Sequence, residues 1–456
     1  MESFSRRQRW AAILKLAWPL IIANGFWNLQ LTIDRVILGQ YSTEALGAAM
    51  AVSGIFWTPL ALVQQTSAYL MTFVAQYLGA KEEHMIGRAF WQSVYLGIFG
   101  GALMILTIPF SEELFQFVGH SPGLQKLEVE YFDSLTYSAM PTAFVAAASA
   151  FFTGLGRTKV IILINCVGLV VNAVLNYILI FGYAGSPSMG IAGAGYATTA
   201  ANWASAVVGF ALVFQNKNEV LYRVRSGWAW SWNLMKRYVR FGVPSGMQWA
   251  LEGLAFTAFL VVLGRTASGE AALASSGIVT TVMMLAVLPA LGVAQAVSVE
   301  VGRYLGERRP ELAEKATWSG LQICAMYILT IASTFLIMPG FYLGWFENSA
   351  NAALWSEVTK IVPVLLVFVA VFIGFDSMNL CFSFALKGAG DTKFVTYVAL
   401  AMPWPLMVMP AWLARNDTNA VYLAWGAASV YIILQAMVFL YRFRGGAWKS
   451  MSVIHG

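Results

Sequence analysis

Three observations predict an all-α integral membrane protein. Its twelve transmembrane helices would form two six-helix lobes, related by a pseudo-two-fold axis along the membrane normal. First, the chain has 456 residues, of which 59% are hydrophobic and 11% charged, against about 25% charged in a soluble domain. Second, it contains twelve apolar runs of about 20 residues, the length that crosses a hydrocarbon core. These runs are continuous and do not alternate, so they read as helices and not barrel strands. Third, the two halves repeat short motifs in the same order.

The runs centre near Ala23, Ile55, Gly100, Thr142, Leu169, Trp203, Leu251, Met284, Met326, Phe368, Met402 and Tyr431. The basic start MESFSRRQRW followed by an apolar run is superficially like a signal peptide. The run is too long for one and lacks a small-residue cleavage pattern, so it reads as an uncleaved first span. The polar loop 215–240 divides an N-terminal lobe, 1–214, from a C-terminal lobe, 241–456. Its stretch GWAWSWNLMKRYVRF looks amphipathic and is expected to form an interfacial linker helix carrying Trp228, Trp230 and Trp232.

Charge sets the orientation. Of the 28 basic residues, 23 fall on one side of the expected spans, among them Arg6, Arg88, Arg157, Lys236, Arg309, Lys387 and Arg444. The positive-inside rule then puts both termini in the cytoplasm, in agreement with an even number of spans. The inner (plasma) membrane of the cell is the expected setting. The net charge of +6 lies in short loops beside the bilayer and does not signal nucleic acid.

The repeat fixes the lobes. Trp18-Pro19 opens the first span and Val243-Pro244 the seventh. Tyr77-Leu78-Gly79 with Lys81 recurs as Tyr304-Leu305-Gly306 with Arg308, and GLGRTK from Gly154 recurs as GAGDTK from Gly388. Each half holds six spans, an even number, so the halves enter from the same side. In the two GxG loops, glycine is expected to supply the positive φ of a tight turn.

Chemistry is expected where polar groups sit inside apolar runs. A carboxylate in a span costs about 2.5–3.5 kcal/mol on insertion scales, so it faces a bundle interior or a wet cavity. Asp34 lies in AWPLIIANGFWNLQLTIDRVILG, with Gln30 one turn earlier and Trp27 two turns earlier. Glu252 lies in the seventh span with Ser245, Gln248, Phe256 and Phe259 on its face. Asp376 lies in the tenth span with Phe372, Asn379 and Ser383 on its face. The fifth span carries Asn172 and Asn176 one turn apart, suited to bonds between helices. By the repeat offsets Asp34 corresponds to Phe259, Glu252 to Trp27 and Asp376 to Thr142. The acids are therefore not part of the repeated architecture. Glu252 and Asp376 with amide and hydroxyl oxygens would suit a small hard cation such as Na⁺, and the same pocket without one would favour taking up H⁺. Glu300 is expected to pair with Arg303, and Asp133 and Glu130 to be solvated near the outer mouth.

A cleft lined by Trp27, Gln30, Trp203, Gln248, Trp249, Phe256, Phe259 and Asn379 could hold flat aromatic ligands, with cation–π attraction for positive ones. Cys166, Cys324 and Cys381 read as small buried hydrophobes with no disulfide framework or metal spacing. His84, His120 and His455 lie in loops or the tail, and no phosphate-binding loop is present, so an enzyme driven by ATP is not expected. No cofactor is expected beyond the coupling ion.

These stretches also resemble a known family. IDRVILG around Asp34, FVAQYLGAKE after the second span, GLGRTK leading to NAVLNYILIFG, and FDSMNLCFSFALKGAGDTK around Asp376 resemble the multidrug and toxic compound extrusion (MATE) transporters. The resemblance covers nearly the whole chain, and the three acids resemble the NorM-like branch. It implies that Asp34 serves H⁺ or drug coupling, with Asn172 and Asn176 near it, and that Glu252 and Asp376 bind Na⁺. It implies a secondary active transporter, a monomer in the bilayer, exporting amphipathic or cationic organic compounds in exchange for H⁺ or Na⁺ by alternating access. The chain departs from the family in Arg35 beside Asp34, and in an eighth span, TTVMMLAVLPALGVAQ, without an aromatic hydroxyl. An alternative is a flippase for lipid-linked oligosaccharides from the related superfamily. A carrier of anionic pyrophosphate lipids should bury basic residues in its cavity, and the sequence shows buried acids instead.

Overall fold

In the computed structural model, residues 5–266, 269–346 and 352–455 are described. Among them the regular structure is helical throughout. The first half contains α1 (Arg6–Tyr41), α2 (Thr43–Ala68), α3 (Leu70–Gly79), α4 (Ile86–Ile105), α5 (Ser111–Val118), α6 (Pro122–Thr136), α7 (Ala139–Gly154), α8 (Lys159–Phe181), α9 (Gly190–Val213) and α10 (Asn216–Tyr222). The second contains α11 (Trp232–Gly264), α12 (Gly269–Gly306), α13 (Pro310–Ile337), α14 (Pro339–Gly344), α15 (Ala352–Ala389), α16 (Thr392–Ala401), α17 (Met409–Leu413) and α18 (Ala420–Arg444). Among the described residues, eleven stretches are long and apolar enough to cross a membrane, and a twelfth is the pair α6 and α7, bent by 41° at the break. Each expected centre falls in a different one of these twelve.

Two expected boundaries move. Pro19 and Pro244 lie inside α1 and α11, which begin a dozen or so residues earlier. The stretch read as a single interfacial helix is divided. A short turn covers Ser226–Trp228, and from Trp232 the chain runs without a break into the seventh span. The apolar residues of that stretch serve two purposes, which a single periodicity cannot reveal. Leu234, Met235 and Tyr238 are buried in α11, while Trp228, Trp230 and Trp232 stay exposed.

The chain forms two compact units. One holds Met1–Ile21, Leu251–Val301 and Arg309–Met451; the other holds Ile22–Ala250, Gly302–Arg308 and Ser452–Gly456. Both α1 and α11 therefore contribute to each unit.

The sequence repeat is also a repeat of backbone conformation. Lys81 and Arg308, 227 positions apart, have φ of 61° and 57°. Gly156 and Gly390, the second glycines of the two GxG loops, have φ of 71° and 106°. Within the unit that contains Ile22–Ala250, the Tyr-Leu-Gly turns are brought together. A Cβ added at Gly79 would lie 3.1 Å from the Glu307 amide, and one at Gly306 would lie 2.9 Å from the Ala80 amide. Hydrogen at these positions lets two backbones approach as no side chain would allow.

Candidate functional site

In the unit with Ile22–Ala250, α8 and α9 pack closely because facing residues are small. A Cβ at Gly168 would fall 2.5 Å from Ser205 Oγ, and one at Gly193 would fall 2.8 Å from the Leu179 carbonyl. That approach brings Asn172, Asn176 and Thr198 together, and α1 sets Asp34 against them. Asp34 is 6% exposed, and both asparagines are wholly buried. The four side chains close a ring. Asn176 Nδ2 donates to Asp34 Oδ1 and, at 3.0 Å, to Asn172 Oδ1. Asn172 Nδ2 donates to Thr198 Oγ1 at 3.2 Å, and Thr198 Oγ1 donates to Asp34 Oδ2 at 3.5 Å. A buried charge is tolerable only where donors replace its lost water, and here both carboxylate oxygens are engaged. Arg35 is exposed and makes no ion pair with Asp34. Thr198 carried no signal in the sequence beyond being a polar residue in an apolar run.

In the other unit, α11 carries Glu252, α15 carries Asp376 and α18 closes the group. Gln435 Nε2 donates to Glu252 Oε1 at 3.3 Å. Asn379 Nδ2 donates to Asp376 Oδ1 at 3.3 Å. The two carboxylates are close enough to interact electrostatically, and Tyr431 on α18 lies near both. Tyr431 thus brings an aromatic hydroxyl that the eighth span lacks. Asn379 Oδ1 and Gln435 Oε1 are buried with no donor in hydrogen-bonding geometry. Acceptors left over beside two carboxylates are the donor set of a hard cation, which takes oxygen ligands. Among the described residues no group of three or more His, Cys, Asp or Glu is placed to hold a metal, so any cation here would draw on amide oxygens besides the two carboxylates.

Sequence reading missed Lys387. The charge pattern groups it with the loop cations, but it belongs to the last turn of α15, is 4% exposed, and lies 3.8 Å over the Phe384 ring. Its ammonium interacts with the Glu252 carboxylate. The three acids are therefore not all without a cationic neighbour, as their isolation along the chain suggested. Asp391, in the GAGDTK loop, is held by Arg442 of α18 at 2.7 Å. Arg303 pairs with Glu307 at 3.3 Å, four residues on, and Glu300 is buried.

The expected cleft residues divide. Trp27 is 39% exposed and leans on Trp57 at 5.2 Å. Trp203 is 41% exposed, edge-on to Phe144 at 5.8 Å. Gln30 and Trp249 are half-buried, and Gln248 is buried. Phe256 is half-buried and stacks on Phe259 at 5.9 Å. Phe259 departs from its expected role. It has no exposed surface and packs edge-on to the fully buried Trp425 at 5.7 Å. A helix face shared with an acid and an amide did not distinguish a ligand contact from a core anchor.

The sequence pattern of the MatE family matches twice, over residues 19–178 and 244–413. The second match starts 225 positions after the first, the offset between Pro19 and Pro244. A probable multidrug resistance protein NorM of Brucella suis biovar 1 is 26% identical over 414 residues, 88% of this chain and 86% of that one. A protein of the same description from Thermotoga maritima is 24% identical over 97% of this chain and 94% of its own length. Among solved structures, one described as the outward-facing conformation of a multidrug resistance MATE family transporter of the MOP superfamily aligns with a TM-score of 0.87. Its identity is 20% over 97% of each chain. A MATE structure in a bent conformation aligns with a TM-score of 0.85 and 21% identity, over 98% of this chain and 99% of that one. This multi-pass membrane chain with the twelve-helix fold therefore belongs to the MatE family, and it is a transporter and not an enzyme.

Proposed function

We propose that the protein is a multidrug efflux antiporter that exports amphipathic, often cationic, organic compounds in exchange for H⁺ or Na⁺ by alternating access. It would act as a monomer in the inner membrane with both termini cytoplasmic, the orientation its basic loops favour. The substrate class is supported by the descriptions of its relatives. The observation that carries the coupling reading is Asp34, a buried carboxylate inside a span with both oxygens held by Asn176 and Thr198. Its energetic cost is consistent with work on an ion. Glu252 and Asp376, with Asn379 and Gln435 oxygens beside them, would hold a second cation, and Na⁺ fits that oxygen-rich set. Trp27, Gln30, Trp203, Gln248, Trp249, Phe256 and Asn379 would contact substrate. Binding of the cation at the acids would compete with a cationic substrate and bias the two openings of the transporter.

Everted membrane vesicles carrying the protein test this reading. Ethidium should accumulate inside against its gradient. Collapse by an uncoupler identifies H⁺ as the driving ion, and stimulation by an imposed Na⁺ gradient identifies Na⁺. Ethidium that only equilibrates, whatever the ion gradient, would overturn the antiport assignment.

A further inference from the structure

The chain has three cysteines, and two of them meet. Cys324 on α13 and Cys381 on α15 are 1% and 0% exposed, and their Sγ atoms are 3.5 Å apart. Cys324 Sγ also faces the Ala290 carbonyl of α12 at 3.8 Å. Both thiols belong to the unit that holds Asp376. Cys381 follows Asp376 by five residues and Asn379 by two, within about 8 Å of rise along one helix. The next residue, Phe382, packs edge-on to Trp318 of α13 at 5.5 Å, so the two helices are already locked side by side at this level. Cys166 lies half-buried on α8, in the other unit.

We propose that Cys324 and Cys381 form a modification site, a thiol pair that hydrogen peroxide converts into a disulfide joining α13 to α15 less than two turns from Asp376. One sulfur, as thiolate, attacks the peroxide O–O bond and becomes a sulfenic acid. The hydroxide it releases takes up a proton and leaves as water. The second sulfur displaces the sulfenic hydroxyl, the S–S bond forms, and a second water leaves. Two thiols lose two electrons and two protons, and one peroxide is reduced to two waters. The sulfurs must close from 3.5 Å to about 2.05 Å, a movement shared between two side chains that already touch.

Burial sets the character of the site. Peroxide is small and uncharged and can reach an apolar interior, whereas a peptide thiol such as glutathione cannot. The thiolate is the reacting form and the surroundings are apolar, so the bond forms slowly. The same shielding makes it slow to reduce once formed. A staple here fixes α15 against α13 beside the Asp376 carboxylate, and any step of the transport cycle that moves these helices past each other stops.

Mass spectrometry tests the chemistry without reference to transport. The full chain in lipid nanodiscs is treated with hydrogen peroxide, denatured without reductant and alkylated with N-ethylmaleimide. The expected product is a peptide linked through Cys324 and Cys381, about 2 Da lighter than the sum of its reduced parts, with Cys166 left out of any link. Cys324→Ala and Cys381→Ala should each abolish it. Independent oxidation of the two sulfurs without a link, or full alkylation of both after prolonged peroxide, would overturn the proposal. In everted vesicles peroxide should slow ethidium transport by the wild type several-fold and spare the double variant. Equal slowing of both would show that the staple does not govern transport and would overturn that part of the proposal.

Discussion

Asp34→Asn separates charge from shape at the first site. In the structure Oδ1 accepts from Asn176 and Oδ2 accepts from Thr198. An asparagine keeps an oxygen for Asn176 and offers an N–H to Thr198 Oγ1. A hydrogen bond to a charged group contributes about 1.5–3 kcal/mol and a neutral one about 0.5–1.5, so the two bonds together lose about 2–3 kcal/mol. Removing the buried charge returns about 2.5–3.5 kcal/mol on insertion scales. The terms nearly cancel, and the thermal midpoint in detergent should stay close to wild type. Coupling should not survive. Each ion exchanged against a tenfold gradient supplies about 1.4 kcal/mol, enough for a tenfold substrate gradient. Without the Asp34 carboxylate that concentrating power is lost for H⁺, and the variant should only equilibrate ethidium in proteoliposomes given an imposed H⁺ gradient. A folded Asp34→Asn protein that still concentrates ethidium tenfold on an H⁺ gradient alone would show that this carboxylate carries no coupling proton.

Three further outcomes follow from the packing and from one carboxylate on the short helix α10. Phe259→Ala should cost about 3–5 kcal/mol of stability, as for other large aromatic side chains removed from a core, and lower the thermal midpoint without changing which substrates compete with ethidium; an altered substrate profile at wild-type stability would return Phe259 to the cleft. Gly306→Val should overpack the approach to Ala80 at about 1–3 kcal/mol, read as a fall in thermal midpoint, whereas the same change at Gly47, which has open space, should be much milder. Glu219, outside the spans, is held below its ordinary carboxyl value of 4.5 by the Arg225 amide and then the Ser226 hydroxyl. Its stabilising contribution is therefore present above the unfolded value and lost as pH falls through the folded one, so hydrogen exchange of the 222–228 turn should rise below pH 4.5, and Glu219→Gln should make it insensitive to acid.

The spans were legible because the bilayer imposes one requirement on every residue in a run, and a length of apolar sequence meets it or does not. The repeat was legible for a related reason. Glycine at 156 and 390 records a backbone angle directly, and the offset carried Lys81 onto Arg308, two residues that share the same uncommon φ. Phe259 and Lys387 were not legible, because helical periodicity gives a face and not what the face meets. Phe259 shares the stripe of Glu252 and yet ends against Trp425. Lys387 follows a run of apolar residues and precedes a GxG turn, the usual place for a solvated loop cation, but α15 continues far enough to bury it over Phe384. Thr198 and Gln435 were also invisible. Their partners come from helices distant in sequence, and nothing local marks a threonine or glutamine as the one that meets a carboxylate.

The repeat and the acids together explain why the two candidate sites are built differently. A duplicated half supplies equivalent helices but not equivalent side chains. Thr142, the counterpart of Asp376, accepts a 2.9 Å bond from Asn202 and so closes its position with a neutral pair. Phe259, the counterpart of Asp34, fills its position with an aromatic core contact. Each half has thus kept its structural need at one level and placed a carboxylate at another. At Asp34 a single carboxylate has both oxygens engaged by donors, and Asn176 Oδ1 is left over beside it. At Glu252 and Asp376 two carboxylates share the site, and the amides turn one N–H toward each and leave an oxygen over, a set of oxygens that would suit a metal cation. Replacing Asn379 by leucine should therefore weaken a Na⁺-dependent component of transport while leaving an H⁺-dependent one at Asp34 intact; equal loss of both components would mean the two sites titrate as one.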